Sequence, residues 1–162
     1  MLRDATPTDW PAVLALNEGS VAVLSPLDEA RLAKLAAASC YFKVWEHESK
    51  VVAFLLAFRK EADYDSVNFR WFDSRPGDFV YIDRIVIAPS ARGQGLAHAF
   101  YDDLEAFAGA HHINRLTAEI DTVPPNPVSL AFHDARGFRE IGQQPLAGGK
   151  TVSLREAVLV QS

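Results

Sequence analysis

Cysteine is almost missing from this 162-residue chain. Cys40 stands alone, so no disulfide can form within the chain and the fold requires no oxidising compartment. Basic charge is also in short supply. Lys and Arg number 16 against 21 Asp and Glu, a formal net charge of −5, and the chain lacks the basic footprint that nucleic acids select. No apolar run approaches the roughly 18–20 residues of a membrane span, and Met1-Leu2-Arg3-Asp4-Ala5 lacks the basic-then-apolar order of a secretory signal. These absences lead us to expect a soluble cytoplasmic protein with no nucleic-acid and no membrane partner. Metal is not expected either. His111 and His112 are neighbours in sequence and face different ways on a helix end, and no acidic or cysteine partner stands at ligand spacing. Repeats, low-complexity tracts and linkers are absent, and the length suits one domain over 1–162.

What is present is an ordinary globular balance, 49% hydrophobic and 23% charged. Residues 1–5 read as a short strand, and Thr8 is placed to cap a helix carrying Trp10, Val13, Leu14 and Asn17. Ser25-Pro26 has the cap-then-proline form of a second helix start. Tyr41–Trp45 and Val51–Phe58 are aromatic and β-branched runs around a polar turn, which predicts a hairpin. Phe79–Ala88 reads as a central strand carrying two charges, Asp83 and Arg84, that alternation places on opposite faces. After Gly95, Leu96, Phe100, Leu104 and Phe107 recur at helical spacing. Leu116–Ile120 is a further strand, Ser129–Arg136 a short helix stopped by Gly137, and strands around 138–141 and 152–160 close the chain. Residues 60–78, 121–127 and 145–150 are left as loops. The order β-α-α-β-β-β-α-β-α-β-β predicts an α/β (α+β) fold, a mixed sheet of about seven strands with about four helices.

Chemistry concentrates in Ile85-Val86-Ile87-Ala88-Pro89-Ser90-Ala91-Arg92-Gly93-Gln94-Gly95-Leu96-Ala97: strand, glycine-bearing turn, helix start. Glycines allow a ligand close to the backbone, and the free amides and positive dipole end of a helix favour an anion. A phosphate cradle and a plain structural turn are both open on this evidence. The Gly-Lys-Ser/Thr ending of a P-loop and the three-glycine dinucleotide fingerprint are both missing.

Arg92-Gly93-Gln94-Gly95-Leu96-Ala97 resembles the Arg/Gln-x-x-Gly-x-Gly/Ala signature of the GNAT N-acetyltransferase superfamily. Arg3-Asp4-Ala5-Thr6 with Asp9 is similar to that family's opening, and Asn126…Ala131-Phe132-His133…Gly137-Phe138 to its second acetyl-CoA segment. The run Ala62-Asp63-Tyr64-Asp65-Ser66…Arg70-Trp71-Phe72 resembles a little-characterised bacterial branch of predicted acetyltransferases. The resemblance implies a GNAT-like sheet and acetyl-CoA as co-substrate. It implies that Arg92, Gly93, Gln94, Gly95, Leu96 and Ala97 hold the pyrophosphate, and that Ile85, Val86 and Ile87, on a strand that splays from its neighbour, pair with the pantetheine arm and offer an amide to the thioester carbonyl.

Acetyl transfer to an alkylammonium, whose pKa is about 10.4, needs a base. Asp83 stands where the family often carries a glutamate, and its alternative is a structural ion pair or hydrogen bond. His133 stands where the family commonly has a tyrosine that protonates the leaving thiolate, and its alternatives are a bond to CoA or a helix-surface position. Asn126 and Ser129 either touch the cofactor or cap a helix, and Phe132 either packs on the CoA arm or fills the core. For the acceptor, Asp63, Tyr64 and Trp71 combine acidic and aromatic groups that suit a cationic amine, with a solvated loop as the alternative. The expectation is an acetyl-CoA-dependent N-acetyltransferase acting on a primary amine of a small molecule or peptide by direct attack, without metal and as a homodimer. The rival is a CoA-binding regulatory module without catalysis.

Overall fold

The computed structural model describes residues 1–20 and 24–160. Its strands are β1 (Leu2–Asp4), β2 (Tyr41–His47), β3 (Lys50–Arg59), β4 (Val80–Ile87), β5 (Arg115–Val123), β6 (Arg139–Pro145) and β7 (Thr151–Val158). They form one sheet in the order β1-β2-β3-β4-β5-β7-β6. Apolar residues on both faces of β3 make it an interior strand. Phe54, Leu56 and Phe58 enter the clusters on one face, while Ala53, Leu55 and Ala57 enter the cluster on the other. The helices α1 (Trp10–Glu18), α2 (Glu29–Ala38) and α3 (Val67–Asp73) cover the first face through Val13, Leu32, Leu35, Phe69 and Phe72. The second face carries α4 (Leu96–Ala110), whose Phe100, Tyr101 and Leu104 pack in one cluster with the small Ala53 and Ala57. Next to it lies α5 (Pro127–Ala135).

Three local expectations are corrected. Residues 60–78 are not only loop. Ser66 accepts from the Phe69 amide at 3.2 Å and starts α3, so the chain has five α-helices among the described residues rather than four. Phe69 and Phe72, three residues apart, bury one side of it in an aromatic cluster with Phe79 and Tyr81. The second helix does not start at Ser25-Pro26 but at Glu29, where Asp28 accepts from the Arg31 amide at 2.7 Å. Ser25 is diverted because its carbonyl and hydroxyl both accept from Arg84. Ahead of the first helix the N-cap is Thr6, not Thr8: the Asp9 carboxylate reaches back to accept from the Thr6 amide at 2.8 Å and holds Arg3 in a two-pronged ion pair.

One irregularity governs the site. Against β3, Leu56 faces Arg84 and Ala57 faces Ile82, leaving Asp83 as an extra residue in β4, a β-bulge. Because the bulge resets alternation, Asp83 and Arg84 share a face, contrary to the sequence expectation.

Candidate active site

Parallel strands β4 and β5 pair only at Val80 with Leu116 and Tyr81 with Thr117. Beyond Tyr81, β4 keeps its ladder to β3 through Ile85, Val86 and Ile87, while its other edge has no strand partner. The parting begins where the bulge at Asp83 re-aims the strand. The result is an opening between β4 and β5 along which this edge of β4 leaves backbone donors and acceptors without a strand partner.

The glycine turn closes one side of the opening. Gly93 and Gly95 adopt φ values of +76° and +78°, which a residue with a side chain rarely tolerates, and a Cβ at either would meet no atom within 4 Å. The space around the backbone is therefore open to a ligand. No side chain caps α4, whose first-turn amides follow directly at Leu96 and Ala97. Arg92 bends back so that Nε donates to the Ile87 carbonyl at 3.2 Å, and Gln94 lies exposed.

Across the opening, α5 is anchored to α4. Asn126 caps it by accepting from the Ser129 amide at 3.3 Å. His133 is buried: Nδ1 lies 2.7 Å from the Ser129 carbonyl and Nε2 lies 2.7 Å from the Tyr101 hydroxyl. A carbonyl can only accept, so Nδ1 carries the proton and Nε2 receives the Tyr101 O–H. Burial pushes the His133 pKa down, with Arg155 and Arg136 adding to it and the Ser129 bond and Asp134 opposing, so the ring is neutral at pH 7. Phe132 packs edge-on to Tyr101, with ring centroids 5.0 Å apart.

On the opposite face stand two carboxylates from adjacent strands. Asp83 accepts from the Tyr64 hydroxyl at 2.5 Å and from Arg84 Nε at 2.6 Å. Arg84, itself buried, uses its remaining donors on Asn17 Oδ1 at 2.9 Å and on Ser25, and so ties α1 to Ser25 of the α1–α2 connection. Glu119 accepts from the Tyr81 hydroxyl at 2.6 Å. Desolvation, helped by the charge of Asp83, outweighs that bond and pushes its pKa up to about 8. Two residues along β5, Asp121 pairs with Lys150 at 3.1 Å and lines a cleft with Pro124, Pro125, Pro127 and Gly148.

Residues 9–138 match the family model of the acetyltransferase (GNAT) family. The chain belongs to that family. Among solved structures, this acetyltransferase is similar to Ard1 from Thermoplasma volcanium, at 16% identity and a TM-score of 0.79, over 99% of this chain and 98% of that one. It is also similar to a ribosomal-protein-alanine N-acetyltransferase from Brucella melitensis, at 22% identity and a TM-score of 0.73, over 98% and 99%. A GNAT superfamily phosphinothricin acetyltransferase from Sinorhizobium meliloti, crystallised with AcCoA, matches at 22% identity and a TM-score of 0.74, over 98% and 88%. Comparison with curated proteins finds no match. At these identities the structural likeness establishes the fold.

In this GNAT acetyltransferase the sequence-expected cofactor residues lie on three elements. Ile85, Val86 and Ile87 line the edge of β4 away from β3, Arg92–Ala97 form the turn into α4, and Ser129 and Phe132 stand on α5 with Asn126 as its cap. The acid, base and acceptor candidates are engaged within the fold or exposed. Asp83 has both oxygens engaged by Arg84 and Tyr64, and His133 has both nitrogens spent inside the fold. Tyr64 is buried and stacked on Phe58 at 4.3 Å, Trp71 packs over Gly142, and Asp63 points to solvent. Glu119 went unread in the sequence. Its signal was an acid between the apolar Ala118 and Ile120 within a strand, similar to the acid between Ile82 and the rest of the central strand at Asp83.

Proposed function

We propose that this acetyltransferase moves the acetyl group of acetyl-CoA to a primary amine of a small molecule or peptide by direct attack, with Glu119 as the general base. The observation that carries the reading is the parting of β4 and β5 after Tyr81 and Thr117, with the uncapped glycine turn at one end and Glu119 beside it. The residues fit the cofactor. Positive-φ glycines leave the backbone of Arg92–Ala97 accessible to a pyrophosphate, and the unpaired edge at Ile85–Ile87 suits the amides of a pantetheine arm. When bound, acetyl-CoA supplies an activated thioester carbonyl. An N–H on the same edge of β4 is available to polarise it.

Glu119 takes the proton from the acceptor ammonium. A carboxyl pushed up to about 8 is a far better match to an amine of pKa about 10.4 than an ordinary carboxylate is. Asp83 makes a poor base, since protonating it would leave the buried guanidinium of Arg84 without its counter-charge. His133, neutral and with its one proton given to Ser129, serves to hold α5 on α4.

The test begins with thermal unfolding in the presence of acetyl-CoA, CoA or ATP, since a ligand of the native state raises its stability. Stabilisation by acetyl-CoA and CoA but not ATP is the expected result, and no shift with any of them removes the cofactor site. Thiol release across an amine panel then follows. Transfer that rises with pH to a plateau above about 8 and is lost in Glu119→Gln supports the base, whereas binding without transfer to any amine favours a regulatory module.

A further inference from the structure

Lys150 brings a primary amine of the chain's own to the open end of β5. Beyond Thr117 this strand has no partner on its β4 side, and the open stretch carries two acids on one face, Glu119 opposite Leu154 and Asp121 opposite Val152 of β7. Two residues apart in a strand, they stand about 7 Å from each other. At the second of them, Lys150 Nζ lies 3.1 Å from Asp121 Oδ2. Both residues line a cleft of about 510 Å³, together with Ala147 and Gly148 of the β6–β7 turn and with Pro124–Pro127 at the start of α5. Asn126, the cap of α5, is among these, so the cleft adjoins the helix whose cap and first turn suit the cofactor.

The backbone of Lys150 is fixed, since its carbonyl accepts from the Leu146 amide at 2.7 Å and closes the turn. Its ammonium is not. The side chain is 28% exposed and carries its charge on a flexible four-carbon stem, and a part-exposed ion pair costs little to open. The other lysines stand elsewhere. Lys34 and Lys50 are exposed, on α2 and at the start of β3, Lys43 pairs with Asp103 of α4, and Lys60 donates to the Asp73 and Arg75 carbonyls.

We propose that Lys150 is a site of self-acetylation, the amine of this chain that takes the acetyl group when no external acceptor fills the cleft. The proposal rests on the transferase reading above. Lys150 leaves Asp121, gives one proton to Glu119 and attacks the thioester carbonyl, forming an N–C bond as the C–S bond breaks. The second proton lost from its nitrogen goes to the departing thiolate, which leaves as the thiol of CoA. The product is a neutral amide that no longer pairs with Asp121.

The experiment incubates the whole protein with acetyl-CoA, without added amine, and follows each lysine by peptide mass spectrometry. Lys150 should gain acetyl at least about tenfold faster than Lys34 and Lys50, which report uncatalysed acetylation, because it is held beside a base. The rate constant should not change with protein concentration, and Glu119→Gln should lower it at least about tenfold. A second reading needs no transfer: CoA, which has no acetyl group to give, should slow labelling of Lys150 by an amine reagent and leave Lys34 and Lys50 unaffected. Protein that acetylates an amine panel while Lys150 only keeps pace with Lys34 and Lys50 overturns the proposal, as does labelling of Lys150 that bound CoA leaves unchanged. Acetylation of neither the panel nor Lys150 takes away the transferase reading, and Lys150 with it. A Glu119→Gln protein that still favours Lys150 at the wild-type rate upholds the site and removes only the base.

Discussion

Asp83 and Glu119 stand on neighbouring strands, face the same helical layer, and each accepts a tyrosine hydroxyl. What separates them is an arginine. Asp83 is paired with a buried guanidinium that depends on its charge, whereas Glu119 is held by the neutral hydroxyl of Tyr81. A carboxylate locked to an arginine is structural, and one held by neutral donors in a desolvated place can exchange a proton near neutral pH. The sharpest way to break this comparison is to neutralise each acid in turn. Glu119→Gln lowers kcat by roughly 100-fold or more, the usual scale for a lost general base, with little loss of fold. Asp83→Asn leaves Arg84 buried without its counter-charge and destabilises the protein by about 3 kcal/mol, while the folded fraction retains most of its turnover. Urea unfolding and active-fraction-corrected kinetics check both, and reversal of the two outcomes would interchange the roles.

Stability against pH sharpens the same contrast. Glu119 releases its proton at an ordinary 4.5 when unfolded and at about 8 when folded, so the native state binds more protons between those values. Its contribution is complete below about 4.5 and is lost as pH rises through about 8. Removing the ionisable group in Glu119→Gln should therefore raise Tm above that of wild type by about 3 °C or more at pH 9. The two curves should converge near pH 4.5. Equal offsets at both pH values would show that Glu119 titrates in the folded state as an exposed carboxylate does.

Legibility in the sequence followed the range of the interactions involved. The glycine turn and the helix after it were readable because positive-φ glycines and helical periodicity are local. The central hairpin was readable because β3 is a continuous apolar run and β2 is rich in aromatic and β-branched residues. The bulge at Asp83 was not, since nothing in Tyr81-Ile82-Asp83-Arg84 marks which residue falls out of register with β3, and strict alternation sent Arg84 to the wrong face. Helix α3 was hidden for a similar reason. Its seven residues are too few to show a repeat, and its stability comes from aromatic partners distant in the chain, Phe58 on β3, Tyr81 on β4 and Phe79 just before β4. Glu119 looked like any strand acid because its partner, Tyr81, is 38 positions away in the chain.

His133 extends the comparison to a third titratable group, one whose proton is spent on the fold. Substituting phenylalanine removes the bonds to Tyr101 and Ser129 while keeping an aromatic ring in the contact with Phe138. Turnover at saturating acetyl-CoA should stay within about threefold of wild type, because a neutral imidazole that donates to a carbonyl has no proton for a leaving thiolate. A cost of about 1–2 kcal/mol is expected near pH 8 from the Tyr101 hydroxyl left unpaired in the core. That deficit should narrow on acidification. The unfolded imidazole takes up a proton at about 6.5 and the buried one only lower, so the wild-type protein loses this contribution as pH falls below 6.5 and the phenylalanine variant has none to lose. A large fall in turnover at every pH, with the stability gap unchanged between pH 8 and pH 5, would return His133 to proton transfer.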